Sequence, residues 1–259
     1  MSGPAGHDLW FESDAGGGRD APGTLGPLAA AAGLAGFALA DRGTTAGLAA
    51  AAAGAAAAGV GFLPGVTLDA EAAGLPVAVF GYGVDPDAEP LRAALAEAGE
   101  AQRLRFAAVR AALEAAGIRL PADRPPDAAA LVAAGFAPSR HAATRRYLGP
   151  GGVAHVAADR PPAAEVSAAV RGAGGRAFLR PGPELAADAE GLEHAVARLA
   201  ASDMAGLVAT TRAEHTAWSA VAGRLGLCVV GGSGYRGAGR GPEPGAATTD
   251  APLWHALTR

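Results

Sequence analysis

Five residues equipped for chemistry lie close together at the start of the chain. His7, Asp8, Glu12, Asp14 and Asp41 fall near the ends of the first two apolar runs. Imidazole and carboxylate groups of this kind can hold a divalent cation or move a proton. The other histidines, His141, His155, His194, His215 and His255, fall on expected helices or outer segments and read as surface or capping residues. Several chemistries are closed outright. All 21 basic side chains are arginine. Without lysine there is no Schiff base, no pyridoxal anchor and no P-loop lysine. Cys228 is the single cysteine, so an internal disulfide and a zinc ribbon are both excluded. Its place in an apolar run predicts an inert core thiol. Ser233 has no nucleophile signature around it.

The 259 residues allow two small domains or one large α/β barrel. Half of them are hydrophobic but only 5% are aromatic, so alanine, leucine and valine must fill most of the core. Net charge is −4, which supplies no extended nucleic-acid surface. Asparagine is absent, and Ile118 and Gln102 are each the only residue of their kind, as a GC-rich bacterial genome would produce. The start, MSGPAGHDLW, has no basic segment before an apolar run, so no signal peptide is expected. The stretch Ala46–Val60 is alanine and glycine, too short and too weakly apolar to span a bilayer. A cytoplasmic location is the expectation.

Short apolar runs bounded by glycine or proline predict strands at Leu9–Glu12, Gly36–Ala40, Gly61–Val66 and Pro76–Tyr82. GRAFLRP, AGLVAT and LCVVGG predict three more. Alanine-rich segments predict helices at Thr24–Gly33, Thr44–Ala58, Pro162–Gly174, Gly191–Ser202 and Arg212–Gly226. Alternation of this kind implies a parallel sheet, open or closed. The middle breaks the rhythm. Asp87–Gly117 is one long helix with leucines at helical spacing, Arg119–Pro126 is a proline-rich break, and Asp127–Leu148 reads as two short helices. The expected division is therefore a barrel of residues 1–84 and 153–259 with a helical insertion at 85–152. Tyr235–Pro252 is expected to be loop.

In this order the segments resemble the PHP (polymerase and histidinol phosphatase) domain family. HDLWFESDAGGGRDAP resembles its opening motif, with Asp8, Leu9, Gly18 and Pro22 in place. GLAGFALADRGTTAGL resembles the second, with Asp41, Thr44, Gly47 and Leu48 in place. FLPGVTLDAE, VAVFGYGVD, RPPDAAALVAAG, RRYLGPGGVAHV, GAGGRAFLRPG and GLCVVGGSGYRG follow in family order, so the likeness runs from Asp8 to Gly237. The resemblance implies a distorted seven-stranded β/α (TIM-like) barrel with a helical insertion. It points to the stand-alone phosphoesterases that act on nucleotides or short RNA, with metals at the strand C-terminal ends.

At the positions where the family carries its metal ligands, this chain differs. The two histidines of the first motif correspond to Trp10 and Glu12, and the loop aspartate to Gly17. Arg42 and Gly43 stand for the next histidine and aspartate, Thr67 for a glutamate and Pro126 for a histidine. Arg180 takes the place of a histidine, and Gly234 and Arg236 that of the closing aspartate and histidine. Indole and guanidinium only donate hydrogen bonds, glycine and proline side chains offer nothing, and a neutral hydroxyl is a poor ligand. Only Glu12 could still coordinate, and one carboxylate cannot hold a binuclear centre. The equivalents of Asp8 and Asp41 are mainly structural in the family, so the acids and histidines of the first two strands do not rebuild one. No metal or other cofactor is expected.

The resemblance turns Arg42, Arg180 and Arg236 toward one pocket. Guanidinium charges ~6 Å apart would repel by roughly 3 kcal/mol per pair. They therefore need anions, either Glu12 and Asp41 from within or an exogenous phosphate or carboxylate held by arginine forks. Trp10 could stack on a planar group or fill the space of the lost ions. The expected function is a catalytically degenerate member of the family, a pseudoenzyme, binding an anionic or phosphorylated small molecule. Three alternatives stay open: a protein-interaction partner of an active enzyme, metal-free chemistry with Glu12 or Asp41 as base, and retained metal-dependent phosphoesterase activity. For the metal-free route, arginines beside a buried carboxylate are expected to lower its pKa and weaken it as a base.

Overall fold

The computed structural model describes residues 6–200 and 203–259. The opening MSGPA and the last two residues of the helix expected to end at Ser202 lie outside the described residues. Seven strands, β1 (His7–Phe11), β2 (Gly36–Leu39), β3 (Gly61–Ala72), β4 (Leu75–Tyr82), β5 (Arg176–Pro181), β6 (Gly206–Ala209) and β7 (Cys228–Gly231), form one sheet in sequence order. The helices are α1 (Leu25–Ala31), α2 (Leu48–Ala58), α3 (Glu89–Ala115), α4 (Ala128–Ala133), α5 (Arg140–Ala143), α6 (Ala163–Gly172), α7 (Pro183–Ala187), α8 (Ala189–Ala200), α9 (Arg212–Arg224) and α10 (Ala251–Leu257). None is long and apolar enough to cross a membrane among the described residues.

The seven strands fall where the sequence places them, except that β3 runs six residues beyond Val66 to Ala72, and the sheet is mixed rather than parallel. β4 runs antiparallel to both β3 and β5. The cause is local. Ala73 and Gly74, between β3 and β4, have φ of 54° and 75°. Two successive residues with positive φ make the tight reversal of a hairpin, which can only join antiparallel strands. A parallel pair would need a crossover of a dozen or more residues. The Ala-Gly pair is a weak hairpin signal beside Asn-Gly, so the reversal was hidden in the sequence.

The sheet nearly closes into a distorted TIM-like barrel. After β7, the N–H groups of Gly234 and Tyr235 donate to the carbonyl of Trp10, and Glu12 N–H donates to the carbonyl of Tyr235. The barrel interior holds Leu9, Ala38, Ala40, Leu63, Phe80, Tyr82, Phe178, Val208 and Val230. Its rings pack on one another, Trp10 on Phe80, and Phe80 and Phe178 on Tyr82, with small residues such as Ala38 and Ala40 filling the same cluster. Tyr82 crosses the interior and donates its hydroxyl to the carbonyl of Leu9 at 2.8 Å. A second layer packs Phe11, Phe37 and Leu39 against α1 and α2. These helices approach backbone to backbone: a Cβ on Gly26 would lie 2.3 Å from the carbonyl oxygen of Gly54. This close contact explains how helices made of alanine and glycine cover the sheet.

The chain divides into two compact units, Met1–Leu95 with Arg160–Arg259, and Ala96–Asp159. The second unit has its own core of Val109, Leu113, Ile118, Leu131, Ala143 and Tyr147. Asp127 and Ser139 cap its short helices, accepting from Ala130 N and Ala142 N. The tail expected to be loop is mostly so. However, Thr249 pairs with His7, and α10 begins at Ala251 with Asp250 as its cap.

Asp8 ties this seam together. Its buried carboxylate accepts from the N–H groups of Trp10, Ser233 and Gly245 at 2.8–3.1 Å. Among the described residues no cation is paired with it. Burial pushes its pKa up to about 6 against the opposing pull of the Ser233, Gly245 and Trp10 hydrogen bonds. An acid whose pKa is raised by folding favours the native state most when protonated. Its contribution is present below the unfolded value and is lost as pH rises toward and past 6. In urea titrations, the wild type should lose on the order of 3 kcal/mol between pH 4 and 7 relative to Asp8→Asn. A flat difference between the two would show that the three N–H groups, not burial, set the charge.

Candidate functional site

The C-terminal end of the barrel gathers Trp10, Glu12, Arg42, Thr67, Asp69, Arg180 and Arg236. Strand register explains why. Arg42, just beyond β2, bridges to Thr67 of β3. Asp69 of β3 faces Ala78 of β4, and Ala78 faces Arg180 of β5. Neighbouring strands lie about 4.8 Å apart, so the Asp69 and Arg180 backbones are separated by roughly 10 Å. Glu12 follows β1, and Arg236 follows β7 one residue after the Tyr235 bridge to Phe11.

The three arginines share this end, yet each is engaged by its own carboxylate. Arg236 Nη2 donates to Glu12 Oε1 at 2.9 Å. Arg42 pairs with Asp69, both side chains being partly in solvent. Arg180 forms a bidentate pair with Glu214 of α9, 2.8 Å on both arms, and adds bonds to the Val208 carbonyl and Thr210 Oγ1. Its guanidinium also lies 5.2 Å from the Trp218 ring centroid. Glu12 was an expected counter-anion, and it serves as one. Asp41 does not. Its two oxygens accept from Ser13 N and Ser13 Oγ, both at 2.6 Å, and so fix the loop after β1. Asp69 and Glu214 take that role, and sequence reasoning missed both. Glu214 did leave a signal. Thr211 caps α9 by accepting from Glu214 N, so Thr-x-x-Glu is the start of a capping box.

Glu12 is the buried charge at the centre. Trp10 Nε1 donates to the same Oε1 at 3.1 Å. The expectation that neighbouring arginines lower its pKa is reversed: burial raises it, and Arg236, Arg42 and Trp10 only partly offset that. The reason is that Arg236 is itself 39% exposed, so water screens its charge, while the Glu12 side chain is 3% exposed. Glu214 goes the other way. Burial pushes it up, but the bidentate Arg180 fork and the two Thr210 bonds hold it below the usual range. Asp41 is also raised by burial, against its Ser13 bonds.

Trp10 is packed, not open. Its ring meets Phe80 edge-on at 4.8 Å, and a Cβ on Gly234 would lie 3.4 Å from it. The Arg236 guanidinium sits 5.6 Å from its centroid. Arg236 Nε is buried and has no hydrogen-bond partner among the described residues.

The group His7, Asp8, Glu12, Asp14 and Asp41 does not assemble. His7 and Glu12 are five residues apart along an extended strand, about 16 Å. His7 stacks on Trp254 at the opposite end, ring centroids 4.4 Å apart, while Asp14 is exposed. Among the described residues no three His, Cys, Asp or Glu side chains are placed to hold a metal ion. The strand-end donor set does not fit a metal cluster: Glu12 Oε1 already accepts from two donors, and Thr67 offers only a neutral hydroxyl. Cys228 donates weakly to the Ala205 carbonyl, and burial raises its pKa, as befits an inert thiol.

No protein-family profile and no curated protein matches this chain. Solved structures do. An amidohydrolase from Chromobacterium violaceum, with bound sulfate and no metal, is 28% identical and superposes with a TM-score of 0.82, covering 98% of this chain and 96% of its own. A Bifidobacterium adolescentis protein named as a candidate metal-dependent phosphoesterase is 25% identical with a TM-score of 0.84, covering 99% and 96%. The chain therefore has the barrel of phosphoesterase- and amidohydrolase-type proteins.

Removing Arg236 should leave Glu12 buried and unpaired. Arg236→Ala is expected to cost about 2 kcal/mol, less than a fully buried pair because the guanidinium is partly solvated. Glu12→Gln, which keeps an acceptor for Trp10, should cost clearly less. Urea midpoints at neutral pH compare them, and equal losses would mean that the charge of Glu12 does not matter.

Proposed function

We propose that this chain is a catalytically degenerate barrel of the polymerase and histidinol phosphatase type. Metal-dependent phosphoester hydrolysis is lost, and the former active site binds an anionic or phosphorylated small molecule. One observation carries the reading: the strand ends present three guanidinium groups, an indole and one buried carboxylate where such an enzyme needs several lone-pair donors per ion. That the Chromobacterium violaceum structure carries sulfate and no metal supports anion binding by a barrel of this kind.

The ion pairs rank the arginines as ligand contacts. Arg42 and Asp69 are joined near the surface. Such a pair is worth about 0–1 kcal/mol, so an incoming anion can replace Asp69 at small cost. Arg236 offers a buried Nε donor that no described residue satisfies. Arg180 is committed on both arms to Glu214 and held by Thr210, Val208 and Trp218. The ligand contacts are therefore Arg42 and Arg236, with Arg180 holding α9 to the barrel. Trp10 forms the packed floor beneath Arg236 rather than an open stacking face.

Purified protein supplied with manganese, iron or zinc should retain none of them in stoichiometric amount and should not hydrolyse nucleotides, short RNA or p-nitrophenyl phosphate. Millimolar phosphate, sulfate or nucleotide should raise Tm, and Arg42→Gln or Arg236→Gln should remove the rise. Stoichiometric metal with turnover would end the proposal. A Tm insensitive to every anion tried would remove its binding half.

A further inference from the structure

The second unit, Ala96–Asp159, has its own surface groove of about 700 Å³. One wall is α3, through Glu97, Glu100, Leu104 and Ala108; the other is the segment with Val156 and Asp159. The exposed large apolar side chains among the described residues are Leu104 and Val153, 56% and 60% exposed, and both belong to this unit. α3 buries one face through Val109 and Leu113. Its other face leaves Ala96, Leu104, Ala107, Ala108 and Ala111 in solvent. Residues at this spacing form one stripe of a helix, and alanines let a second helix approach closely.

The charges along the stripe are ordered. Glu97 and Glu100 precede Leu104, while Arg103 and Arg105 flank it. Arg103 is paired only within its own helix, to Glu100, with both side chains more than half exposed. We propose that this face joins two copies of the chain, α3 packing antiparallel on α3 of a second copy about a two-fold axis between Glu100 and Arg103. That arrangement sets Glu100 of each copy against Arg103 of the other, and seats each Leu104 in the facing groove. A self-complementary patch of this kind is what a closed two-fold interface requires. The groove lining carries Glu97, Glu100 and Asp159 against Arg105, with Arg103 beside it, and a second copy in this register meets both Glu100 and Arg103 with opposite charge. The stripe is short, so the dimer is weak and forms in the micromolar range or above.

Sedimentation equilibrium of the full chain from ~5 to ~200 μM tests this. Wild type should pass from monomer to dimer across the series. Leu104→Glu, at an exposed position that leaves circular dichroism unchanged, should weaken dimerisation at least tenfold. Glu100→Arg should weaken it too, and the double variant Glu100→Arg with Arg103→Glu should restore it. A monomer at every concentration, or a dimer indifferent to Leu104→Glu, would overturn the proposal. Failure of the double variant to recover would overturn the antiparallel register.

Discussion

A guanidinium at the rim of a barrel must find a counter-charge, and the arrangement of this end follows from how each of three arginines finds one. Arg236 reaches back across the seam to Glu12, Arg42 reaches to the next strand and Asp69, and Arg180 reaches outward to Glu214 on the helix after β6. The three pairs differ in solvent access, and access decides their behaviour. The Arg180 pair, with four hydrogen bonds and an aromatic face, is a structural clamp. The Arg42 pair lies in water and is easily exchanged. The Arg236 pair is intermediate, because its carboxylate is buried while its guanidinium is not.

Closure of the barrel relies on polar groups as much as on apolar ones. The segment after β7 returns to β1 through backbone bonds at Trp10 and Glu12, and Asp8 gathers three N–H groups from the same region. The interior supplies bulk through a few aromatic residues packed on one another. A sequence this poor in large side chains still fills a barrel because the rings it has are stacked into one connected cluster, Trp10, Phe80, Tyr82 and Phe178.

Much of this was legible from the sequence. Brief apolar runs between glycines fixed where the strands lie, and the alanine segments fixed the helices, because both follow local periodicity. The donor-only character of the side chains at the strand ends follows from residue type, whereas the packing of the Trp10 indole against Phe80 does not. The reversal of β4 was not legible, since it hangs on two residues, Ala73 and Gly74, with no strong turn signature. The partners of Arg42 and Arg180 were not legible either. Asp69 lies 27 residues from Arg42, and Glu214 lies 34 from Arg180.

By itself the sequence determined which atoms this protein can offer. It has no lysine, one cysteine, and guanidinium and indole groups near the ends of its strands. Donor and acceptor capacity is a property of the side chain and needs no fold. Only the tertiary structure decided which charge meets which. It put Asp41 under Ser13, brought Asp69 and Glu214 to the rim, and raised the pKa of Glu12 instead of lowering it. Pairing and desolvation depend on strand register and burial, and both are set by contacts between residues far apart in the chain.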